Sequence, residues 1–358
     1  MHRLMAGVSI LEHELSDLRL LVERQTGILL DCPNSALVAH VAEYLEAHEL
    51  DSAAALLERL RAGDQDPSVL PQFLDGILNT GTGFYRHPGA MNALARAVAP
   101  QLYARKSEDG PCALRIWSAG CGTGEEAYSI AMALCDPAAS ATANGNGNGS
   151  ANAKEREREK DSKEKNAARG GVIDYTAPSS MPTPRDWSVH IVGSDLLSSA
   201  IETAERGLYP QSALTGLPPA TIRACFSKIG NTNASQNAVA DTASNSNGNG
   251  SIPNSNGAHL LVKPRLRSLV TFNTMNLTKP VYIGRFDCIF CMDVLPHLSR
   301  AQRVALLERL HLYLEPGGYL FLSQTEKLST PNLNFRSETY DGYTFHRKPL
   351  AASAAYGR

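Results

Sequence analysis

The feature that most constrains the fold of this chain is the run Arg115-Ile-Trp-Ser-Ala-Gly-Cys-Gly-Thr-Gly-Glu-Glu-Ala-Tyr-Ser129. An apolar strand empties through Gly120, Gly122 and Gly124 directly into an amphipathic helix, a turn that lets a ligand approach backbone atoms closely. From Ala113 onward the same alternation continues. Short apolar runs at Ala113 to Ser118, Val189 to Gly193, Leu269 to Asn273, Phe286 to Cys291 and Tyr319 to Leu322 read as strands. Helical periodicity marks Glu125 to Leu134, Ser198 to Glu205 and Arg300 to Leu314, the last expected to close at Pro316-Gly317-Gly318. This layout predicts an α/β fold with a parallel sheet covered on both faces.

The spacing of the turn is G-x-G-x-G, not the G-x-G-x-x-G of a dinucleotide site, and Glu125 and Glu126 follow it at once. Two carboxylates there repel a pyrophosphate and favour a cationic ligand. S-adenosylmethionine, with an ammonium group and a sulfonium, fits that requirement. Val189 to Asp195 is a strand ending in an acid, the position at which nucleoside-binding α/β folds hold ribose hydroxyls. The bland reading of Asp195 is the cap of the following helix. The buried strand from Phe286 ends near the same crevice, so residues around Met292 to His297 should border the ligand.

Ahead of this region, roughly Leu11 to Ala99, the chain reads as a small helical domain. Leu15, Leu18, Leu21 and Val22 recur at helical spacing up to Gly27, and Leu37, Val38, Val41, Tyr44 and Leu45 repeat the pattern. Asp51 and Ser52 can cap a third helix, and Phe73, Ile77 and Leu78 mark a fourth. With 34 Lys and Arg against 36 Asp and Glu among 358 residues, no general field draws nucleic acid or an anionic bilayer. No apolar run reaches the length of a membrane span, which predicts a cytoplasmic chain without membrane insertion. The seven cysteines are scattered in apolar segments, and Cys288-x-x-Cys291 sits inside a strand, so reduced core thiols are expected rather than a metal site. Two tracts, 139–185 and 231–257, are poor in aliphatic side chains and are expected to be disordered insertions. Lys154 to Lys165 within the first could form a solvated helix through opposite charges four apart.

Taken in order, Arg115 to Ser129, Gly193-Ser-Asp195, Glu205-Arg-Gly-Leu-Tyr-Pro210, Phe272-Asn-Thr-Met-Asn-Leu277 and Phe286 to Leu298 resemble the chemotaxis receptor methyltransferases of the CheR type. Asn79-Thr-Gly-Thr-Gly-Phe-Tyr-Arg-His87 is similar to that family's Thr-x-Phe-Phe-Arg signature, and the resemblance spans about residues 10 to 347 outside the two insertions. It implies a Rossmann-like S-adenosylmethionine methyltransferase domain over 100–349, preceded by a helical domain over 1–99 and followed by a tail, 350–358. It also implies a small antiparallel β-subdomain over 214–269, interrupted by the second insertion. Carried over by position, Thr82 and Arg86 approach the methionine part of the cofactor and act at the transfer site, and Gly120, Gly122 and Gly124 form the floor. Glu125 or Glu126 holds the ammonium, Asp195 the ribose, and Asn276 with Leu277 the adenine. The implied activity is methyl esterification of glutamate side chains on a chemoreceptor-like or other signalling protein, leaving S-adenosylhomocysteine.

A glutamate is already ionised at neutral pH, so such a reaction needs alignment and little water, not a general base. Arg86 could orient the incoming carboxylate by a forked hydrogen bond, or serve only as an interdomain salt bridge. The chain departs from the family in three places. Met292-Asp293 and His297 stand where the family has Arg-Asn and a tyrosine, and Thr80 stands where it often has Asn. Asn34 to His48 carries no Lys or Arg, whereas the family's second helix usually carries several arginines. Two other readings stay open: a cofactor-binding signalling or scaffold protein that has lost catalysis through Met292 and His297, and a small-molecule methyltransferase, because the fold alone does not fix the acceptor.

Overall fold

The computed structural model describes residues 10–62, 68–78, 81–109, 112–135, 187–228, 259–280, 283–328 and 333–350. Both expected insertions, the charged tract Lys154 to Lys165, Asn79, Thr80 and the tail beyond 350 lie outside these residues.

The helical segment begins with α1 (Glu12–Thr26), α2 (Asn34–Ala47), α3 (Ala53–Arg61) and α4 (Val69–Asp75). Gly27 ends α1 in the left-handed region at φ 77°, and the Ser52 side chain accepts from Ala55 N at 3.2 Å to start α3. Leu18, Val22, Leu37, Val41, Leu45, Leu56, Leu60 and Phe73 share one buried cluster, the faces that the spacing marked out. Ile77 and Leu78, expected within the fourth helix, lie past its end at Asp75. This cluster also takes in Leu197 and Ala200 from the α/β region, so the two parts share apolar surface.

A further helical stretch runs through α5 (Pro88–Ala93), a π-turn at Leu94–Val98, and α6 (Ala99–Asp109). The domain boundary expected at residue 99 therefore falls inside a helix. Ala90, Met91, Leu94, Val98 and Leu102 are buried against the sheet's side chains, which ties this stretch to the α/β core and not to the bundle.

The main sheet has seven strands in the order β6-β2-β1-β7-β8-β10-β9. They are β1 (Ala113–Ala119), β2 (Ser188–Asp195), β6 (Val270–Thr274), β7 (Phe286–Phe290), β8 (Leu314–Phe321), β9 (Arg336–Tyr340) and β10 (Tyr343–Arg347). The first five run parallel, and β10 lies antiparallel to both β8 and β9. Side chains alternate between two apolar layers, as the strand period demands. Ile116, Cys288, Phe290, Tyr319 and Phe321 face α7 (Glu125–Leu134) and the 88–109 helical stretch; Trp117, Ile289, Cys291, Leu320 and Leu322 face the helix Arg300–Tyr313. Cys288 and Cys291 thus point to opposite faces, and burial pushes both thiols well above the ordinary range.

Three local expectations change. The last long helix stops at Tyr313 and β8 starts at Leu314, so Pro316-Gly317-Gly318 lies within the strand. Pro316 cannot continue the helix, and Gly317 takes φ 75° with its N–H bonded to Lys348 O across the sheet. The antiparallel subdomain consists of β3 (Leu208–Pro210), β5 (His259–Val262) and β4 (Phe226–Lys228), in that order, so it begins six residues before the expected Leu214. The hairpin β9–β10, absent from the expectation, closes the sheet's far edge.

Candidate active site

Strand order reverses about β1, between β2 and β7, so the crevice opens at the carboxyl ends of these strands. There Gly120 N and Cys121 N both donate to Ser194 O, at 2.8 and 2.9 Å, which welds the glycine turn to the end of β2. Gly120 and Gly124 hold φ of 86° and 96°, and a Cβ on them would sit 2.5 Å from Val294 Cγ2 and 2.6 Å from Ala204 Cβ. Only glycine fits either place. Asp195 Oδ2 accepts from Gly122 N at 2.9 Å and Oδ1 from Leu197 N at 3.0 Å. The second bond closes a turn ahead of the helix Ser198–Arg206, whose N-cap is Leu197 without a side-chain cap, so Asp195 does not cap that helix, and its carboxylate borders the crevice. Burial raises its pKa, against the pull of those backbone donors.

The two glutamates diverge. Glu125 is 6% exposed, with its carboxylate bonded to Thr123 Oγ1 at 2.7 Å and to Thr82. Glu126 borders the cavity and accepts from Ser118 Oγ at 2.6 Å. Burial, reinforced by Asp293 and Glu326, lifts its pKa to about 7 against the Ser118 bond and Arg86. Consecutive helical residues point about 100° apart, so one acid lines the cavity and the other packs behind the turn.

Across the cavity, Arg86 Nε lies 3.3 Å from Asp293 Oδ2, and His87 Nε2 lies 2.8 Å from the same oxygen. The salt bridge weighed for Arg86 thus exists, and Arg86 also lines the cavity. Asp293 sits at φ 58°, held by Glu326, whose Oε2 accepts from Asp293 N at 3.2 Å and whose Oε1 accepts from Leu295 N at 2.9 Å. Burial raises the Asp293 pKa, but His87, Ser323 and Arg86 outweigh it and the net shift is downward.

These groups enclose a cavity of about 420 Å³. It brings together Thr82, Arg86, Gly120, Gly122, Glu126, Asp195, Asn276 and Leu277, and leaves out Gly124 and Glu125, which lie behind the turn. Met292, Asp293 and His297 border it as expected. Asn276 Oδ1 is turned into its own loop, bonded to Thr278 N at 2.9 Å. The sequence reading missed Ile28, Tyr85, His87 and Met275. Ile28 arrives from the loop after α1, where it bridges Leu298 and Leu29 N donates to His297 O at 2.8 Å. A lone apolar residue in a loop carries no motif, whereas His87 adjoined Arg86 in a segment already singled out.

A family model described as "CheR methyltransferase, SAM binding domain" matches residues 80–145 and 173–343. The chain belongs to the CheR methyltransferase family. It is 26% identical over 314 residues to the chemotaxis protein methyltransferase 1 of Pseudomonas aeruginosa, covering 87% of this chain and 89% of that protein. To the chemotaxis protein methyltransferase of Vibrio parahaemolyticus it is 25% identical over 328 residues, covering 91% and 93%. To the Pseudomonas putida chemotaxis protein methyltransferase Cher2 it is 25% identical over 319 residues, covering 88% and 90%. This CheR chain is thus an S-adenosylmethionine-dependent methyltransferase. Its cavity suits that cofactor: a floor without Cβ atoms, acids at Glu126 and Asp195, and apolar walls from Ile28, Leu197, Met275 and Val294. Among the described residues no helix is long and apolar enough to cross a membrane.

Proposed function

We propose that this CheR methyltransferase esterifies glutamate side chains of a chemoreceptor-like signalling protein. The observation that carries the reading is an acid-walled, glycine-floored cavity with a half-exposed arginine, Arg86, at its edge. The relatives named as chemotaxis protein methyltransferases span most of their own length in the match, which supports both the chemotaxis setting and a protein acceptor.

In this assignment Glu126 receives the cofactor's ammonium, Asp195 the ribose hydroxyls, and the Asn276–Leu277 loop the adenine. Gly120 and Gly122 let the chain of the cofactor lie against the backbone, and Thr82 rests on the turn, 3.2 Å from where a Cβ of Gly122 would be. When bound, the cofactor supplies an electrophilic methyl group. The protein's task is then alignment and exclusion of water, because the acceptor carboxylate needs no deprotonation. Arg86 orients that carboxylate through charge-assisted hydrogen bonds, while Ile28, Met275 and Leu277 keep the cavity apolar.

The test is methylation of candidate receptor cytoplasmic domains by the full chain with labelled cofactor. Methanol released by alkali marks a carboxyl ester; a label that survives alkali, or none where a known relative methylates the same domains, overturns the reading.

A further inference from the structure

Asp293 is the unusual member of the site. Its backbone occupies the left-handed region at φ 58°, which costs energy for a residue with a Cβ and persists only where neighbours fix it. Glu326 does so: besides the N–H groups of Asp293 and Leu295, its carboxylate accepts from Ser323 N at 2.8 Å and Ser323 Oγ at 3.0 Å. The turn after β7 is thereby clamped to the segment after β8. From this turn the Asp293 carboxylate crosses to the segment before α5, where one oxygen meets both His87 Nε2 and Arg86 Nε.

The manner of this contact matters. Arg86 meets Asp293 side-on, with Nε 3.3 Å from Oδ2 in an ion pair and not a hydrogen bond, and its terminal nitrogens carry no hydrogen bond among the described residues. A guanidinium held at Nε keeps two parallel N–H groups for a second, bidentate partner. Its side chain is 50% exposed, against 33% for Asp293 and 21% for His87, and all three residues line the cavity.

We propose that Asp293 is a positioning residue for methyl transfer: with its backbone fixed by Glu326 and its carboxylate shared with His87, it holds Arg86 by Nε and so aims the two terminal nitrogens at the acceptor carboxylate. This rests on the carboxylate acceptor proposed above. The chemistry selected is an anionic side chain offering two oxygens; a neutral amide or hydroxyl cannot take the fork.

Two readouts on the full chain test it. In the first, nitrogen-resolved magnetic resonance follows exchange of the Arg86 Nε proton with water, the signal being assigned with Arg86→Lys. Slow exchange in the parent and fast exchange in Asp293→Ala is expected, with Asp293→Asn, which removes the charge of the ion pair, close to Asp293→Ala. In the second, methylation kinetics are compared for Asp293→Ala, Arg86→Ala and the double variant. Asp293→Ala should raise the acceptor KM by up to about fivefold, the scale of one half-exposed ion pair. The double variant should be no worse than Arg86→Ala, since Asp293 acts through Arg86. Equal exchange rates in parent and Asp293→Ala overturn the proposal whether or not any receptor is methylated, as do additive kinetic losses or a lowered acceptor KM, which would make Asp293 a competitor for Arg86. A parent enzyme that forms no alkali-labile ester sinks the acceptor reading instead, and the exchange measurement still decides whether Asp293 holds Arg86. Should Asp293→Ala fail to fold, Asp293→Asn provides both readouts.

Discussion

Asp195 and Gly122 are joined by a 2.9 Å hydrogen bond from the glycine's N–H to Oδ2, so the acid ending β2 and the turn ending β1 form one structural unit. Removing that carboxylate should therefore cost more than a ligand contact. Asp195→Ala also strips Leu197 N of its partner and leaves two backbone donors to find water. The expected outcome is a loss of S-adenosylhomocysteine affinity of at least about thirtyfold, with stability lower by roughly 1–3 kcal/mol. Calorimetric titration and urea unfolding on the same preparation check both. Full affinity in a folded Asp195→Ala protein would remove Asp195 from the cofactor site.

With Glu126 proposed to receive the cofactor's ammonium, cofactor binding should depend on pH. The Glu126 pKa is raised from 4.5 to about 7, chiefly by burial. Between those values the folded chain binds more protons than the unfolded one, so this group's contribution to stability falls as pH rises through that window. An ammonium placed beside Glu126 requires the anion, so binding below about pH 7 must expel the proton. Affinity should accordingly climb from pH 6 to pH 8, approaching tenfold per unit at the low end, with uptake of the released proton by buffer. Titrations in buffers of different ionisation enthalpy measure that proton directly. In Glu126→Gln the affinity should drop and its pH dependence flatten; a slope unchanged from the parent would assign the titration elsewhere.

Much of this was legible before the structure because the signals were long and regular. Glu125 to Leu134 carries unbroken helical periodicity, and the observed helix has the same ends. The buried strands at Ala113 and Phe286 stand out as apolar runs bounded by polar turns. β3 and β4, three residues each, are too short to show alternation at all. The β9–β10 hairpin did have a signal: Asp341-Gly342, with φ of 48° and 76°, is a tight-turn pair between alternating segments, and it went unread because Arg336 to Tyr340 is polar on an outer edge. In the site, sequence named the acid pair but could not separate Glu125 from Glu126, since only the helix orientation decides which one lines the cavity. Asp293 was noted for departing from a family pattern; its pairing with His87 and Arg86, more than two hundred residues earlier, is a product of tertiary packing.

The glycine floor gives a steric prediction. A methyl group at Gly120 would meet Val294 Cγ2 at 2.5 Å while the backbone stays at φ 86°, so Gly120→Ala combines overpacking with backbone strain. A stability loss of about 2–4 kcal/mol is expected, and Val294→Ala in the same chain should recover the packing part but not the strain. Because both residues line the cavity, cofactor affinity should fall in Gly120→Ala and return only partly in the double variant. Urea midpoints for the three variants separate the two contributions, and complete recovery by Val294→Ala would show that backbone conformation at Gly120 is not limiting.

At the opposite end of β7 from the cavity, Asp287 is 2% exposed, and both of its oxygens lie 2.9 Å from Lys106 Nζ. Arg115 N also donates to Oδ2 at 2.9 Å, so the pair pins α6 to the start of β1 and β7. Taking away one partner of a buried ion pair strands a charge in a poorly polarisable place, which costs more than the pair contributes. Lys106→Met should destabilise the fold by about 3–5 kcal/mol. Lys106→Met with Asp287→Asn, which leaves no charge to strand and retains an acceptor for Arg115 N, should regain most of that loss. Neither variant touches the crevice, so folded protein at low temperature should bind S-adenosylhomocysteine within about twofold of the parent. Urea unfolding with a parallel titration reads both quantities. If the double variant is as unstable as Lys106→Met alone, the loss lies in the hydrogen bond from Lys106 Nζ to Ala113 O and not in a stranded charge.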